Sequence, residues 1–387
     1  MIWNFDMKII IHFRPVILWI VLILPLFSCE SNTSNSLSEK IYAAGVYSGG
    51  GASTVCVTET MESMKLDRDF TVTSISPSDI QNGKLDSLDV LIFPGGSGSM
   101  EYLSLGQSGA ERVKEFIQQK GKGLVGICAG GYLFATTEGY PSLELLRVST
   151  YRDHYDRGRG LIAFDLNEKG KLIFPELADF DTLYLQYYDG PIYRLNSHNP
   201  PVVLGTIQSD IATSEDDPKG LTPGKPSFLY STYGDGRIMV TTGHPESTPG
   251  MRWMVPRMAR HVLGAPLIAY DTEVVRPEIN QKEILYYPDL VRLERSCRWG
   301  LYSDKDSIVL ASLEQLHALR SRPSIRWSTG LLRHNSPEVR VAAARYLLET
   351  EYTDAIPDLV SASRDEEDRE VLHVIEESLS GLTQIIR

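Results

Sequence analysis

Cys128 stands in Gly126-Ile127-Cys128-Ala129-Gly130, directly after the apolar run Gly123-Leu124-Val125 and directly before the helical stretch Gly131-Tyr132-Leu133-Phe134-Ala135. A strand that ends in G-x-C-x-G and passes at once into a helix puts its central residue on a tight bend. A Cβ on either flank would collide with the turning chain, which is what the glycines avoid. The bend holds a thiol above the sheet edge at a helix N-terminus, whose positive end favours thiolate. That is the geometry of a nucleophile. About 116 residues later, Gly243-His244-Pro245-Glu246 follows the strand-like Arg237-Ile238-Met239-Val240-Thr241-Thr242. An imidazole there can take the thiol proton at one ring nitrogen, while the carboxylate two positions on steadies the other. Taken singly, each segment has a bland reading: a buried Cys is usually inert core, and His-Pro-Glu a surface turn. The argument rests on their joint occurrence, in order, each at the end of an apolar strand-like run.

G-x-C-x-G followed late in the chain by His-Pro-Glu resembles the class I glutamine amidotransferase superfamily. Val90-Leu91-Ile92-Phe93-Pro94-Gly95-Gly96-Ser97-Gly98-Ser99 is similar to that superfamily's oxyanion strand. More narrowly, the chain resembles the biotin–protein ligase N-terminal domain family over roughly residues 40 to 265. The segments that carry this are Val46-Tyr47-Ser48-Gly49-Gly50-Gly51-Ala52-Ser53, Cys128-Ala129-Gly130-Gly131-Tyr132, Arg157-Gly158-Arg159-Gly160-Leu161 and Tyr187-Tyr188-Asp189-Gly190-Pro191. Nothing resembling a biotin-ligase catalytic domain follows, so biotin transfer is not implied.

The resemblance implies a flavodoxin-like α/β fold, a parallel sheet with helices on both faces. It implies Cys128 as nucleophile, His244 as base and Glu246 as its orienting acid, with oxyanion or substrate contacts at Gly95, Gly96, Ala129 and Gly50. Tyr188 would lie near the pocket; read from the residues alone, its segment is equally a hairpin turn flanked by core tyrosines. The implied chemistry is thioester-mediated acyl transfer on an amide-bearing small molecule or peptide, with no metal and no organic cofactor. Three departures limit the carry-over. There is no synthetase domain to take ammonia. The ThiJ/PfpI branch places an acid near the nucleophile at the end of the first strand, where this chain has Tyr47-Ser48-Gly49. The serine-peptidase relatives carry Ser at the elbow. A second reading therefore stands beside the hydrolase: an inactive ligand-binding or scaffold lipoprotein.

The elements that must position these residues alternate between strand and helix from about residue 40 to 268. Strands are expected at Ile41–Tyr47, Phe70–Ile75, Val90–Phe93 and Leu124–Ile127, with helices at Ala52–Met64 and Gly109–Gln119. In the second helix Val113, Phe116 and Ile117 share one face, opposite Glu111, Lys114 and Glu115. A βαβα order predicts a parallel sheet covered on both faces, with the site outside the strand C-termini. From Leu146 to Val203 the alternation breaks into strand candidates Leu161–Leu166, Leu183–Tyr187 and Val202–Thr206, which predict an inserted or appended antiparallel sheet. Gly49-Gly50-Gly51 meets neither G-x-G-x-x-G, since position 54 is Thr, nor a P-loop. It reads as a close backbone approach to a substrate or anionic group at a helix start.

Residues 1–28 read as a bacterial lipoprotein signal: Lys8 and Arg14 precede an apolar run from Pro15 to Phe27, and Ser28 precedes Cys29. The run is short for a transmembrane helix. Phe27 is bulkier than such signals favour, so an ordinary signal or anchor is the alternative, and Met7 is a second candidate start. On the lipoprotein reading Cys29 carries lipid, residues 29–39 form a Ser/Asn-rich tether, and the body resides in the bacterial envelope, held to the membrane by lipid. Cys56, Cys128 and Cys297 then remain, an odd number without metal spacing. No disulfide framework is indicated, although a Cys56–Cys297 bridge stays open. The formal net charge of −12 becomes −13 without the signal, which argues against nucleic acid and against a polybasic membrane patch.

From Ile279 strand signals vanish, and residues 279–387 read as an all-α, HEAT-like repeat domain. Ser307–Leu316, Glu338–Leu347 and Glu370–Leu379 align at offsets of about 31 and 32 residues, making Ile308, Val339 and Val371 equivalent, as are Leu316, Leu347 and Leu379. Ile325–Leu332 and Ala355–Ser361 supply partner helices. Ser336-Pro337-Glu338 has the composition of a helix start: cap, first-turn proline, acid at the positive end. Such units bury their apolar faces only by stacking. So few should dock on the catalytic domain, and they offer a surface for a protein partner. An unrelated helical bundle is the alternative.

Overall fold

The computed structural model describes residues 40–152, 158–196, 198–210, 219–270, 272, 274–277, 288–319, 321 and 324–385. The expected signal, Cys29 and the tether lie outside these residues, as does Arg157. The α/β part begins with β1 (Tyr42–Tyr47), α1 (Thr54–Met64), β2 (Phe70–Ile75) and α2 (Pro77–Gln81). It continues with β3 (Val90–Phe93), α3 (Gly98–Gln118), β4 (Gly123–Ile127) and α4 (Ala129–Phe134). Then come β5 (Val148–Thr150), β6 (Arg159–Leu166), α5 (Glu168–Ile173), β7 (Leu183–Tyr188), β8 (Tyr193–Leu195) and β9 (Val202–Ile207). β10 (Pro226–Tyr233), β11 (Gly236–Thr241) and α6 (Met254–Leu263) close it.

Nine strands form one sheet in the order β2-β1-β3-β4-β11-β10-β9-β6-β7. The first five are parallel and follow the doubly-wound order expected for this fold class. The other four are antiparallel, so the sheet is mixed. The antiparallel strands extend the main sheet from its β11 edge, and β5 and β8 pair apart from it. In β3, Val90 and Ile92 enter the core on one face while Leu91 and Phe93 enter the core on the other. A strand buried on both sides reads as continuous apolar sequence for this reason. α3 starts at Gly98, eleven residues before the expected helix, because it kinks at Gly106 (φ 63°) instead of ending there.

The C-terminal part is helical throughout its described residues: α7 (Pro288–Gly300), α8 (Asp306–Ala318), α9 (Ile325–Ser328), α10 (Pro337–Glu349), α11 (Ile356–Asp365) and α12 (Arg369–Ile385). A separate core joins them through Val309, Leu316, Val339, Leu347, Leu359 and Ile375. Two repeat details differ from the sequence alignment. Ile308 is 42% exposed and its neighbour Val309 is buried in its place, while Leu316 and Leu347 are both fully buried as aligned. Ser336 holds the N-cap position, but its hydroxyl makes no capping bond and Pro337 alone shapes the first turn.

Candidate active site

Cys128 adopts φ 51° and ψ −98°, left-handed backbone that a side chain enters only at a cost of about 1–3 kcal/mol. Packing fixes the bend. A Cβ at Gly126 would sit 2.8 Å from the Gly130 carbonyl carbon, and one at Gly130 would sit 2.6 Å from Phe93 O. The Cys128 amide donates to Thr241 O at 3.0 Å, joining the elbow to the end of β11. Because β4 and β11 are parallel, with Ile127 opposite Thr241, the residues following each strand emerge on the same edge. Cys128 leaves β4 there and His244 follows β11.

His244 is 2% exposed and Glu246 is 0% exposed. Their Nδ1 and Oε1 atoms lie 2.8 Å apart in a hydrogen bond that water does not reach. The backbone of His244 is fixed by β7: its amide donates to Gln186 O at 2.8 Å. Thr248 Oγ1 donates to His244 O at 2.7 Å and accepts from the Gln186 amide at 2.9 Å. The imidazole stands edge-on to the Tyr188 ring, centroids 5.8 Å apart. The Cys128 thiol donates to Tyr188 O at 3.7 Å. Nucleophile and imidazole therefore border the same residue.

The thiol opens into a cleft of about 260 Å³, lined by Gly96, Cys128, Tyr132, Tyr140, Arg152 and Tyr188 among others. Tyr188 and Asp189 form one of its walls. Asp189 has φ 48° and exchanges hydrogen bonds with Gly158, backbone to backbone and through Oδ1. Tyr132 Oη donates to Asp189 O at 3.0 Å and Gly190 O at 2.9 Å, and Tyr187 Oη donates to Gly190 O at 2.8 Å. The segment is not the hairpin turn that the residues alone allowed, since β7 pairs with β6 and β8 with β5; Tyr187 is fully buried core, and Tyr188 lines the cleft. Arg152 and Asp189 put charges of both signs in the lining. The Arg152 guanidinium stacks 4.4 Å from the Tyr140 ring centre, and Arg194 sits 3.6 Å from that of Tyr151. The Arg194 hydrogen bond, with Lys225 assisting, holds the Tyr151 phenol below its ordinary range.

The other expected contacts separate. Gly96 lines the cleft. Gly95 lies beneath the imidazole, where a Cβ would come 2.5 Å from His244 Cε1 and 2.8 Å from Cys56 Sγ. Ala129 is buried directly after the nucleophile as the first residue of α4. Gly50 does not serve as expected: its amide donates to Ser104 Oγ at 3.0 Å, and the residue is absent from the cleft lining. The glycine run instead lets the chain pass tightly against α3, since a Cβ on Gly51 would meet the Met100 carbonyl carbon at 2.7 Å.

Two residues that the sequence did not single out belong to this centre. Cys56, in the first turn of α1, places its sulfur within 4.8 Å of ligating atoms of both His244 and Glu246. Glu101, in the first turn of α3, is 0% exposed, and neither carboxyl oxygen has a hydrogen-bond partner among the described residues. Burial, and then the charges of Cys128 and Cys56, push its carboxyl well above the ordinary value of 4.5. Its only sequence signal is an acid in the first turn of a helix, a common feature of helix starts. All three described cysteines are free thiols, so no Cys56–Cys297 bridge forms.

The family model described as "Biotin-protein ligase, N terminal" matches residues 43–261, more than half of the chain. The chain belongs to this family. Its α/β part is a class I glutamine amidotransferase-like domain, and a HEAT-repeat model matches residues 300–380 of the biotin–protein ligase N-terminal family member. Among curated proteins it is similar to the pyridoxal 5'-phosphate synthase subunit PdxT of Listeria monocytogenes, 28% identical over 173 residues, covering 44% of this chain and 77% of the relative. Among solved structures, it is similar to the glutaminase domain of Trypanosoma brucei CTPS with bound acivicin, with a TM-score of 0.41 at 10% identity over 60% of this chain and 97% of that one. A cytoplasmic protein of Salmonella typhimurium, STM3548, gives a TM-score of 0.39 at 13% identity, with 58% and 98% covered.

Proposed function

We propose that this protein is a cysteine-dependent amidase or related hydrolase that works through Cys128, His244 and Glu246. The observation that carries this reading is the dry 2.8 Å His244–Glu246 bond set at the strand end beside a strained, cleft-facing Cys128. A buried carboxylate of this kind fixes ring orientation and favours the imidazolium that forms when the thiol gives up its proton. In the acylation step the sulfur attacks the amide carbonyl, forming the C–S bond. The C–N bond breaks and His244 passes the proton to the departing amine. In the second step water, deprotonated by His244, forms the C–O bond and expels the sulfur. Backbone amides at Gly96 and Ala129 are the candidate oxyanion donors, and losing one such donor typically costs about 10²–10³ in rate.

The substrate class follows from the cleft. Its volume suits a small molecule or a short peptide end, and its tyrosines accept a flat or apolar group. The guanidinium of Arg152 at the rim offers a local partner to a substrate that also carries an anionic group, against the overall negative charge of the chain. Glutamine-type ammonia transfer is not proposed. The amino-terminal sequence further supports attachment to the bacterial envelope through lipid on Cys29, and the HEAT repeats support a protein partner.

Thiol reactivity tests the catalytic reading. Cys128 is expected to be alkylated by iodoacetamide far faster than Cys56 or Cys297 near neutral pH, and His244→Ala is expected to abolish the difference. Equal, slow labelling of all three would replace the hydrolase with a ligand-binding protein. For the anchor, metabolic labelling with a radioactive fatty acid is expected in wild type and absent in Cys29→Ala; label retained by the variant would remove the lipid assignment.

A further inference from the structure

We propose that Cys56, His244 and Glu246 form a binding site for one thiophilic divalent ion of the zinc kind. An ion held there takes the imidazole away from Cys128, which gives the hydrolase a metal-operated off state. The site itself stands on geometry; only its effect on Cys128 rests on the reading of His244 as the base.

Three elements bring the ligands together. Cys56 comes from the first turn of α1, His244 from the residues that follow β11, and Glu246 from the short turn Pro245–Ser247. A sulfur, a ring nitrogen and a carboxylate oxygen, one atom from each residue, all lie within 4.8 Å of one another. Around a tetrahedral zinc such atoms stand about 3.3–3.6 Å apart, given bonds of about 2.0–2.3 Å. His244 Nδ1 and Glu246 Oε1 are already 2.8 Å apart, so that pair has only to open slightly and the sulfur to close in. A Cβ on Gly95 would lie 2.8 Å from Cys56 Sγ and 3.2 Å from His244 Nδ1, so only a glycine there leaves both atoms room. Ser247 Oγ donates to Glu59 Oε2 at 2.6 Å, which ties the turn that carries Glu246 to the helix that carries Cys56.

Thiolate, imidazole and carboxylate are the ligands that proteins offer zinc, and the sulfur disfavours magnesium and calcium, which take oxygen. The charge also closes. A divalent ion with one thiolate and one carboxylate is neutral, as a site whose three residues are each 2% exposed or less requires. Binding releases one proton to solvent, that of the Cys56 thiol. The ion takes Nδ1, the ring atom beside Glu246, and the ring's proton is then carried on Nε2. The nitrogen that would accept the Cys128 proton is therefore already filled. The cleft is the way in: Gly96 lines it and follows Gly95, and Tyr188 lines it and stands edge-on to the imidazole. Cys56 and His244 lie far apart in the chain, which is why the sequence shows no metal spacing.

Cobalt(II) is the probe, because a thiolate ligand gives it a sulfur-to-metal charge-transfer absorption that nitrogen and oxygen ligands do not. Added to reduced, full-length protein, Co²⁺ is expected to raise this band until a single ion per chain is bound, and Zn²⁺ to bleach it. Cys128→Ser is expected to keep the band and Cys56→Ser to lose it, with Cys56→Ala as the second variant and circular dichroism to show that each is folded. Glu246→Gln is expected to weaken cobalt binding by about tenfold or more, since a lost ligand costs at least what its supporting groups do. No band in folded wild type, or a band that Cys128→Ser removes and Cys56→Ser keeps, overturns the site. For the off state, Zn²⁺ at the concentration that bleaches the band is expected to slow iodoacetamide labelling of Cys128 by about tenfold or more, as loss of a base does. In Cys56→Ser the labelling rate is expected not to respond to Zn²⁺. Labelling that Zn²⁺ leaves unchanged in wild type overturns the off state. The metal-free comparison with His244→Ala shows separately whether His244 is the base, and the cobalt band does not depend on that role.

Discussion

Replacing Glu101 by Gln changes one thing at the centre of the molecule: whether a fully buried group can lose a proton. Glu101 has no exposed surface and no hydrogen-bond partner for either oxygen among the described residues, and its carboxyl is held well above 4.5 by burial first and the two thiols second. A group whose folded value is raised stabilises the protein fully only below its unfolded value. As pH climbs above about 4.5, the unfolded chain releases the Glu101 proton while the folded chain keeps it, so stability falls. One proton gives a slope of at most about 1.4 kcal/mol per pH unit, which continues until the folded group also ionises. Gln is nearly isosteric and cannot ionise, so Glu101→Gln removes this slope and leaves the other groups alone. Urea unfolding at half-unit steps from pH 4 to 8.5 measures it. The stability of Glu101→Gln minus that of wild type is expected to be constant below about pH 4.5 and to rise toward alkaline pH by up to about 1.4 kcal/mol per unit. A difference that is flat across the range would show that Glu101 ionises normally in the folded state, and the reasoning from burial would be wrong.

Further outcomes follow from the same geometry. Gly95→Ala places a methyl 2.5 Å from His244 Cε1, so the protein is expected to fold, with a small loss in thermal midpoint, yet to lose His244-dependent alkylation of Cys128. Arg260 pairs with Asp67 at 2.5 Å and with Asp69, and Tyr270 also donates to Asp67. Arg260→Ala is expected to cost about 3–5 kcal/mol in urea unfolding because it leaves the buried Asp67 carboxylate without its cation. Arg152→Ala is expected to weaken binding of carboxylate-bearing amides by about tenfold, a loss of one charge-assisted contact, while leaving neutral amides nearly unaffected. Equal losses for both classes in competition against Cys128 alkylation would remove the anionic preference.

The inner strands of the parallel half were legible because they are buried on both faces and so read as unbroken apolar runs, unlike the edge strand β2. Val90–Phe93 and Gly123–Ile127 are of this kind. The hairpin of β10 and β11 was also written in the sequence, as two strand-like runs separated by Gly234-Asp235, the pair suited to a two-residue turn. β10 nevertheless escaped notice because Ser227, Ser231 and Thr232 dilute its apolar signal. The elbow and the His-Pro-Glu turn could be named as candidates for a different reason: they resemble a known family's motifs in the same order, and the elbow's glycines answer to local crowding. Glu101 and Cys56 could not, since each joins the centre through a helix that approaches from elsewhere, and an acid or thiol at a helix start has many uses. The contact between Glu351 and Arg252 spans about 99 residues and leaves no periodic trace at all.

The four antiparallel strands explain why this site can be a cleft at all. In an open doubly-wound sheet, the crevice beyond the strand C-termini is bounded by loops alone. Here β7 is the last strand of the extended sheet, yet its Gln186 carbonyl accepts the His244 amide at 2.8 Å and its Tyr188 carbonyl accepts the Cys128 thiol. A strand four places from β11 in the sheet thus returns to the strand ends of its parallel half. That return is made possible by tight passages: a Cβ at Gly190 would lie 3.0 Å from the Tyr187 ring, and a Cβ at Gly243 would lie 3.1 Å from Gln186 O. The same wall turns a strained Cys128 from an exposed thiol into one that only a ligand of the cleft's size can reach. The elbow's strain comes from packing at Gly126 and Gly130, and β7 adds to it the cleft wall and the hold on the His244 backbone. A change that loosens Tyr187-Tyr188-Asp189-Gly190 should impair cleft and base orientation together, while a change on the rim should alter selectivity alone.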